Sequence, residues 1–187
     1  MLNQVQHDRT TSLKVKVSLL NNISNYLLSS KESVKTAHQF VSWNKLSKVL
    51  IVAYDNQLSG IVDFINTCQK DKISVHVAVI YDGKPEQAPK PHFEHTIFDK
   101  KQFSFFKIPT DTALQKLNTT YDILINLGTE GQIKSLALSK LIPAKCKIGN
   151  FENPVFEITI NSDITMNSAD YLKQVVVYLN MIKTTNN

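Results

Sequence analysis

Six residues at or just after the carboxyl ends of predicted strands have the chemistry of a binding site: Asp55, Asn56, Asp82, Asn126, Gly128 and Thr129. Asp55 and Asp82 lie at the ends of adjacent predicted strands and could bind a ribose, a cation or a general-base water. Aspartate is also an ordinary helix cap and turn former, which gives the two carboxylates a structural explanation. Asn126 differs, because it interrupts an apolar strand in which an unpaired amide is costly. Its side chain should bond a neighbouring loop or face a pocket.

The turn Gly128-Thr129-Glu130-Gly131 could hold a phosphate, because the amino end of a helix favours anions. Its sequence is neither the dinucleotide fingerprint nor a P-loop, and no Lys-Ser or Lys-Thr follows it. Glu130 would repel an anion, whereas it suits the helix dipole itself. We therefore interpret these residues first as a strand-to-helix turn, in which glycine permits positive φ and close backbone approach.

Metal and nucleophile motifs are incomplete. His92, Glu94, His95 and Asp99 are metal-type ligands, but their spacing is not HExxH and they lie in a proline-rich segment, so we predict no metal site. No G-x-S-x-G elbow occurs, and neither cysteine has a histidine placed near it by a local motif. Both cysteines are predicted to be free buried thiols. The sequence names no cofactor and leaves open whether the protein is an enzyme.

Charge and aromatic content do not indicate nucleic acid as a partner. The formal net charge is +5, but Arg9 is the single arginine, and arginine makes most bidentate phosphate and guanine contacts. Phe103, Phe105 and Phe106 could stack on a single strand beside neighbouring lysines. At strand spacing some of these rings must face the core, so we expect core packing instead.

Apolar runs without a polar break predict strands covered on both faces, and runs with a 3.6-residue period predict helices. Strands are predicted at 48–54, 72–81, 103–108, 121–127 and 146–149, with an alternating edge strand at 155–161. Helices are predicted at about 13–41, as one long or two short segments, and at 58–68, 113–117, 133–141 and 169–182. Residues 84–101 contain three prolines without a period, which predicts a loop.

This alternation predicts a single α/β domain over residues 1–187. The expected architecture is a three-layer sandwich with a mostly parallel, Rossmann-like or flavodoxin-like sheet of five to six strands. Ligands of such sheets bind beyond the carboxyl ends of the strands, near the switch point in strand order, and all six candidate residues leave strands at that edge. No apolar run is long enough to span a membrane and no secretory signal is visible, so we expect a soluble cytoplasmic protein.

Several stretches resemble a bacterial domain family of unknown function found mainly in Bacteroidetes. They are KVLIVAYD after a helix, DKKQFSFFKIP before a short helix, YDILINLG, LSKLIPAKCKIG, and a last helix ending in YLNMI. The similarity covers most of residues 40–183, and DILINL and KCKIG are its most specific parts. The resemblance implies an α/β fold and a bacterial cytoplasm. No activity is assigned to that family, so it supplies no catalytic residue.

The first functional hypothesis is a small-molecule or nucleotide-type ligand bound at the carboxyl ends of the strands. The alternative is a non-catalytic interaction or scaffold domain, because no complete catalytic constellation is present. The wide apolar face of the last helix also leaves a homodimer open. A weaker alternative is a glycosyltransferase-like domain, which the βαβ pattern suits although a second half and a sugar-nucleotide motif are missing.

Overall fold

Six parallel strands form one sheet in the computed structural model, which describes residues 21–31, 39–161 and 166–182. The strands are β1 (Lys48–Tyr54), β2 (Ser74–Ile80), β3 (His95–Phe98), β4 (Tyr121–Asn126), β5 (Ala144–Gly149) and β6 (Ile158–Thr159). Their order is β3-β2-β1-β4-β5-β6, and every neighbouring pair is parallel. The predicted α/β class is confirmed, and this order is that of the Rossmann fold.

Helices cover both faces of the sheet. They are α1 (21–30), α2 (Val62–Lys70), α3 (Asp111–Leu114), α4 (Ile133–Leu141) and α5 (Ser168–Met181). α2 and α5 pack on one face of β1 and β4, and α3 and α4 pack on the other. Because both faces are covered, the five residues from Val49 to Ala53 are fully buried. None of the described helices is long and apolar enough to cross a membrane.

The predicted N-terminal helical segment is only partly described. Residues 21–30 are helical, whereas residues 13–20 and 32–38 lie outside the described residues. Lys140 on α4 donates from Nζ to the carbonyl oxygen of Leu28 at 2.6 Å. Lys107 donates from Nζ to Asn21 Oδ1 at 2.9 Å. These contacts at both ends of α1 place it on the side of the sheet that carries α4.

The predicted strand at 103–108 is wrong, and a strand lies instead within the predicted loop at 84–101. This strand, β3, is at the sheet edge, where three of its four residues are only half-buried. It therefore lacks the continuous apolar run that identifies an inner strand. The aromatic run forms a tight turn closed by a single antiparallel bridge between Phe103 and Pro109.

The predicted edge strand at 155–161 is shorter than its alternating pattern indicates. Only β6 pairs, and it lies at the sheet edge beside β5. The backbone N–H of Phe156 donates to the carbonyl oxygen of Asn153 at 3.0 Å, forming a turn that keeps the preceding residues out of the ladder. The Phe156 ring instead covers Gly149, where an added Cβ would lie 2.3 Å from a ring carbon.

A buried lysine lies between the sheet and α4. The Lys147 side chain points from β5 to α4, is 3% exposed, and donates from Nζ to the carbonyl oxygen of Lys140 at 3.1 Å. Burial lowers the pKa of Lys147 to about 8, the Glu157 carboxylate opposes that change, and the Lys140 charge adds to it. Near neutral pH the fold therefore contains a buried ammonium group at a net cost.

Replacing Lys147 by methionine is expected to raise the free energy of unfolding at pH 7 by about 1–3 kcal/mol. In the wild type, the pKa of Lys147 is lowered to about 8, so the destabilisation by its buried charge is complete below pH 8. This destabilisation is relieved as pH rises to the usual lysine pKa of 10.5. The advantage of Lys147→Met should thus shrink between pH 8 and 10. Urea unfolding at several pH values measures it, with Lys173→Met on the exposed surface as the control. An advantage independent of pH would contradict this assignment.

Candidate functional site

The candidate site lies where the strand order reverses, between β1 and β4. After β1 the chain enters the 3-10 helix Asp55–Ile61, which leads to α2 on one face. After β4 it enters a turn that leads to α4 on the opposite face. Such a switch point is where open α/β sheets bind ligands. Asp82, which follows β2, reaches the same edge.

One amide closes the switch point on the α2 side. Gln57 Oε1 accepts a hydrogen bond from the backbone N–H of Tyr54 at 2.9 Å, and its Nε2 donates to the carbonyl oxygen of Leu127 at 2.8 Å. The Gln57 side chain therefore ties the carboxyl ends of β1 and β4 together.

Asn126 is completely buried at the carboxyl end of β4. Its Oδ1 accepts from the backbone N–H of Gly128 at 2.7 Å, which confirms the expected bond to a neighbouring loop. Its Nδ2 has no hydrogen-bond partner among the described residues. A buried amide donor without a partner costs about 1–3 kcal/mol, so this atom is a place where a ligand acceptor would be favourable.

Gly128 is needed because α4 approaches the backbone of the turn closely. A Cβ at Gly128 would lie 2.0 Å from Ser135 Oγ and 2.9 Å from Asn126 Oδ1. Ser135 is itself fixed, since its Oγ donates to the carbonyl oxygen of Gln132 at 2.8 Å. The positive φ of the turn falls instead on Gly131, at 83°. Gly128 therefore permits the close backbone approach and Gly131 the positive φ, the two roles that the sequence indicated for this turn.

Tyr54 brings a neutral hydroxyl to the α4 side of the site. Burial raises its pKa to about 12, the Asp82 charge adds to the increase, and hydrogen bonding with Ser135 opposes it. The phenol therefore stays protonated at physiological pH and can donate a hydrogen bond. These interactions also show that Tyr54, Asp82 and Ser135 lie together.

Asp82 forms an ion pair with Lys134 in the first turn of α4. The Lys134 side chain is mostly buried, whereas the Asp82 carboxylate is half exposed. Lys134 Nζ also lies 5.0 Å from the centre of the Phe103 ring, close enough for a cation–π contact. The structure therefore places one carboxylate, one ammonium and one aromatic ring together, and Tyr54 and Ser135 link this group to the turn that follows Asn126.

The remaining three candidates, Asp55, Asn56 and Thr129, have exposed side chains. Asp55 and Asn56 open the 3-10 helix on the far side of Gln57, and neither caps α2. The backbone N–H of Thr129 donates to Gln132 Oε1 at 2.8 Å, so Gln132 fixes the turn before α4. The structure thus brings Asn126 and Gly128 together, connects Asp82 to them through Tyr54 and Ser135, and leaves the other three candidates exposed.

Outside this edge, two histidines have hydrogen-bond partners and both cysteines are buried. His76 contacts Glu94 through Nδ1 at 2.9 Å and Thr96 through Nε2 at 2.8 Å. His95 Nδ1 contacts the carbonyl oxygen of Phe93 at 2.7 Å. Within the described ranges no three His, Cys, Asp or Glu side chains form a group suited to a metal. Both cysteines are free and buried as predicted, and burial raises the pKa of each thiol to about 12.

Buried polar atoms without partners concentrate near the carboxyl edge. In the described part of the chain they are Asn126 Nδ2, Asn150 Oδ1 and the Tyr171 hydroxyl. Asn150 directly follows β5. Tyr171 is in the first turn of α5, and that turn packs on the 3-10 helix, because a Cβ at Gly60 would lie 2.9 Å from Ser168 Cβ. All three atoms therefore belong to residues at or near the carboxyl edge of the sheet.

Sequence reasoning missed Lys134, Ser135 and Gln57 as parts of the site. Lys134 and Ser135 open α4, but their partners Asp82 and Tyr54 lie 52 and 81 positions earlier, and no local pattern links them. Gln57 follows Asp55 by two positions and resembles any polar residue at the start of a helix. A usable signal was the position of Lys134 in the first turn, where a cation is unfavourable to the helix dipole unless a partner compensates it.

Comparison with known proteins identifies the family of this chain, and that family has no assigned activity. No curated protein matches this chain. A model described as a family of unknown function, DUF6913, matches residues 16–182, which include every described strand and all the site residues above. The expected resemblance to a family without an assigned activity is thereby confirmed, and the chain belongs to the family of unknown function DUF6913.

Proposed function

We propose that the protein binds a small polar ligand of the nucleotide or phosphorylated-metabolite class at the carboxyl edge of β1, β2 and β4. One observation carries the proposal: Asn126 Nδ2 is a fully buried donor without a partner at the switch point. An acceptor atom of a ligand would remove that cost. The proposal also places the protein in a bacterial cytoplasm, where such metabolites are abundant.

The groups around Asn126 suit a ligand with both an anion and hydroxyls. Lys134 supplies a positive charge at the amino end of α4, where the helix dipole also favours negative charge. Tyr54 supplies a neutral donor. Asp82 can accept from sugar hydroxyls, as carboxylates after the second strand of dinucleotide-binding folds do. Asp82 and Lys134 pair with each other in the protein without ligand. Ligand binding would therefore replace part of this ion pair by contacts to the ligand.

Removal of the Lys134 charge tests the proposal. A thermal-shift screen of AMP, ribose 5-phosphate, UDP-glucose and glucose 6-phosphate would identify a ligand, and calorimetry would give its Kd. Lys134→Met is expected to weaken binding about 10- to 100-fold, the value of a charge-assisted hydrogen bond. Asp82→Asn should weaken binding of sugar-containing ligands by a smaller factor. UDP-glucose also tests the glycosyltransferase-like alternative.

The matched control uses a second aspartate–lysine pair. Lys173 donates to Asp170 at 2.9 Å on the exposed face of α5, on the opposite side of the sheet. Lys173→Met and Asp170→Asn change the net charge as the site variants do, but they should leave Kd within twofold. Equal weakening by Lys173→Met would assign the effect to overall charge. A screen without any shift at millimolar concentrations would count against the proposal.

A non-catalytic interaction function is the second candidate, favoured by the outer surface of α5. Val177, Tyr178 and Met181 lie one helical turn apart or less and are 54%, 42% and 71% exposed. Apolar side chains gathered in this way often mark contact surfaces. Light scattering after size exclusion tests the simplest case, a second copy of this chain. A dimer that Met181→Lys converts to a monomer, together with a negative ligand screen, would favour this function over ligand binding.

A further inference from the structure

The turn that replaces the predicted strand at 103–108 is ordered by its own backbone. Ser104 donates its N–H to the carbonyl oxygen of Ile108 at 2.8 Å, and Lys107 donates to the carbonyl oxygen of Ser104 at 2.9 Å. Lys107 adopts a φ of 61°, a left-handed conformation that a lysine rarely takes. Backbone strain of this kind persists where the surrounding structure holds it, and it is frequent at ligand sites.

The turn presents an exposed aromatic ring. Phe105 is 77% exposed, although Phe103, two residues before it, is buried. The ring of Phe106 packs edge to face with that of Phe105, with their centres 5.4 Å apart. Phe105 therefore has a fixed neighbour on one side and solvent around most of its surface. Core packing is expected for some of the three rings; Phe103 packs in the core, whereas Phe105 does not.

This turn borders the candidate site. The ring of Phe103, at the base of the turn, lies 5.0 Å from Lys134 Nζ, and Lys134 pairs with Asp82. On the other side Lys107 Nζ donates to Asn21 at the start of α1. The exposed Phe105 ring thus stands two residues from the aromatic contact of the site's own lysine.

We propose that Phe105 is the ring-binding wall of the site and that the ligand carries a flat heteroaromatic ring which stacks on it. The inference rests on the proposed function and narrows its ligand class to nucleotide-type molecules. Aromatic side chains bind bases of any sequence through their faces, so an exposed phenylalanine in the turn whose Phe103 contacts Lys134 suits a base joined to an anion. In the proposed arrangement Lys134 contacts the anionic group, Asp82 the sugar and Phe105 the base.

The test compares two probes, AMP and ribose 5-phosphate, of which the second lacks the adenine base. Calorimetry on the full chain should give AMP about 5- to 100-fold tighter binding than ribose 5-phosphate, the range of one base–aromatic stack. Phe105→Ala should remove that difference and leave the Kd of ribose 5-phosphate unchanged. Phe105→Trp should preserve AMP affinity and show quenching of its fluorescence on AMP binding. Because Phe105 is exposed, neither variant should alter folding, and the thermal midpoint without ligand checks this.

The control and the opposing results separate this inference from the proposed function. Phe40 is also exposed, at 57%, and its neighbour Gln39 bonds to Lys145 near the amino end of β5, so Phe40→Ala should change neither Kd. If both probes bind equally, Phe105→Ala has no effect and Lys134→Met weakens both, the binding site stands and the ring-binding wall is overturned. If neither probe binds at millimolar concentration, the ring-binding wall is overturned, and the proposed function is overturned with it when UDP-glucose and glucose 6-phosphate also fail to bind. If Phe105→Ala reduces binding of a thymidine oligonucleotide or of anionic vesicles but not of AMP, the turn serves a macromolecule and the inference fails.

Discussion

Replacing Asp122 by alanine is expected to lower the free energy of unfolding by about 3–5 kcal/mol, the cost of breaking a buried charged network. Asp122 is buried at the start of β4. Its Oδ2 accepts from the N–H and hydroxyl of Ser47 at 2.9 and 2.7 Å and from the N–H of Lys48 at 2.9 Å. Its Oδ1 accepts from Lys145 Nζ at 2.7 Å. One carboxylate therefore joins the amino ends of β1, β4 and β5, and alanine would leave these donors without it.

The pH dependence of Asp122 gives an independent check. Burial alone would raise its pKa, but the hydrogen bonds from Lys145, Ser47 and Lys48 lower it to about 2. A carboxyl group with a lowered pKa contributes stability above its usual value of 3.8, and that contribution is lost as pH falls toward 2. Between pH 5 and 2 the wild type should therefore lose about 2 kcal/mol more than Asp122→Asn.

Urea unfolding followed by circular dichroism measures both effects. Glu152→Ala, an exposed acidic residue in the loop after β5, is the control and should change stability by less than about 0.5 kcal/mol. Asp122→Asn should cost less than Asp122→Ala, because the amide oxygen still accepts some of the bonds. An Asp122→Ala variant within 1 kcal/mol of the wild type would show that the amino ends of the strands are held mainly by the sheet itself.

The inner strands could be predicted from the sequence because burial on both faces leaves a continuous apolar run. β1 and β4 have this pattern, and the predicted ends of both strands are correct to within one residue. β3 could not be found in this way, because this four-residue edge strand has three half-buried residues and one fully buried side chain, that of Phe98. The aromatic run 103–108 has the composition of a strand, but it follows β3 and reverses direction through Lys107.

From the sequence, a residue of the candidate site could be predicted only where it departs from its own local pattern. Asn126 was identified because a polar residue in an apolar run requires an explanation, and the structure supplies half of one in its bond to Gly128. Lys134 could not be identified, because its meaning comes from Asp82 on another strand. Asp122 is a similar case, since only the register of β1 against β4 brings Ser47 to it. Relations across the sheet depend on strand order, which no local pattern records.

Replacing Gly128 by alanine is expected to destabilise the protein by about 1–3 kcal/mol, the usual cost of overpacking a core. The new Cβ would lie 2.0 Å from Ser135 Oγ and 2.7 Å from Ser135 Cβ, so rotation of the serine cannot remove the clash. Either the backbone of the turn or α4 must move. Because Gly128 also donates its N–H to Asn126, that movement should disturb the buried amide as well.

A double-mutant cycle separates this clash from the intrinsic cost of losing glycine. Ser135→Gly removes the two serine atoms that clash, at a cost of about 1 kcal/mol for glycine in a helix, and leaves the 2.9 Å approach to Asn126 Oδ1. In that background Gly128→Ala should cost at least about 1 kcal/mol less than in the wild type. Gly131 is the matched control, since a Cβ there would meet nothing within 4 Å and would suffer only from the positive φ of 83°. Gly131→Ala should therefore add to Ser135→Gly without coupling. The explanation is contradicted if Gly131→Ala couples to Ser135→Gly, or if Gly128→Ala does not. Gly128 would then be required for its backbone conformation, and α4 would not set the shape of the switch point.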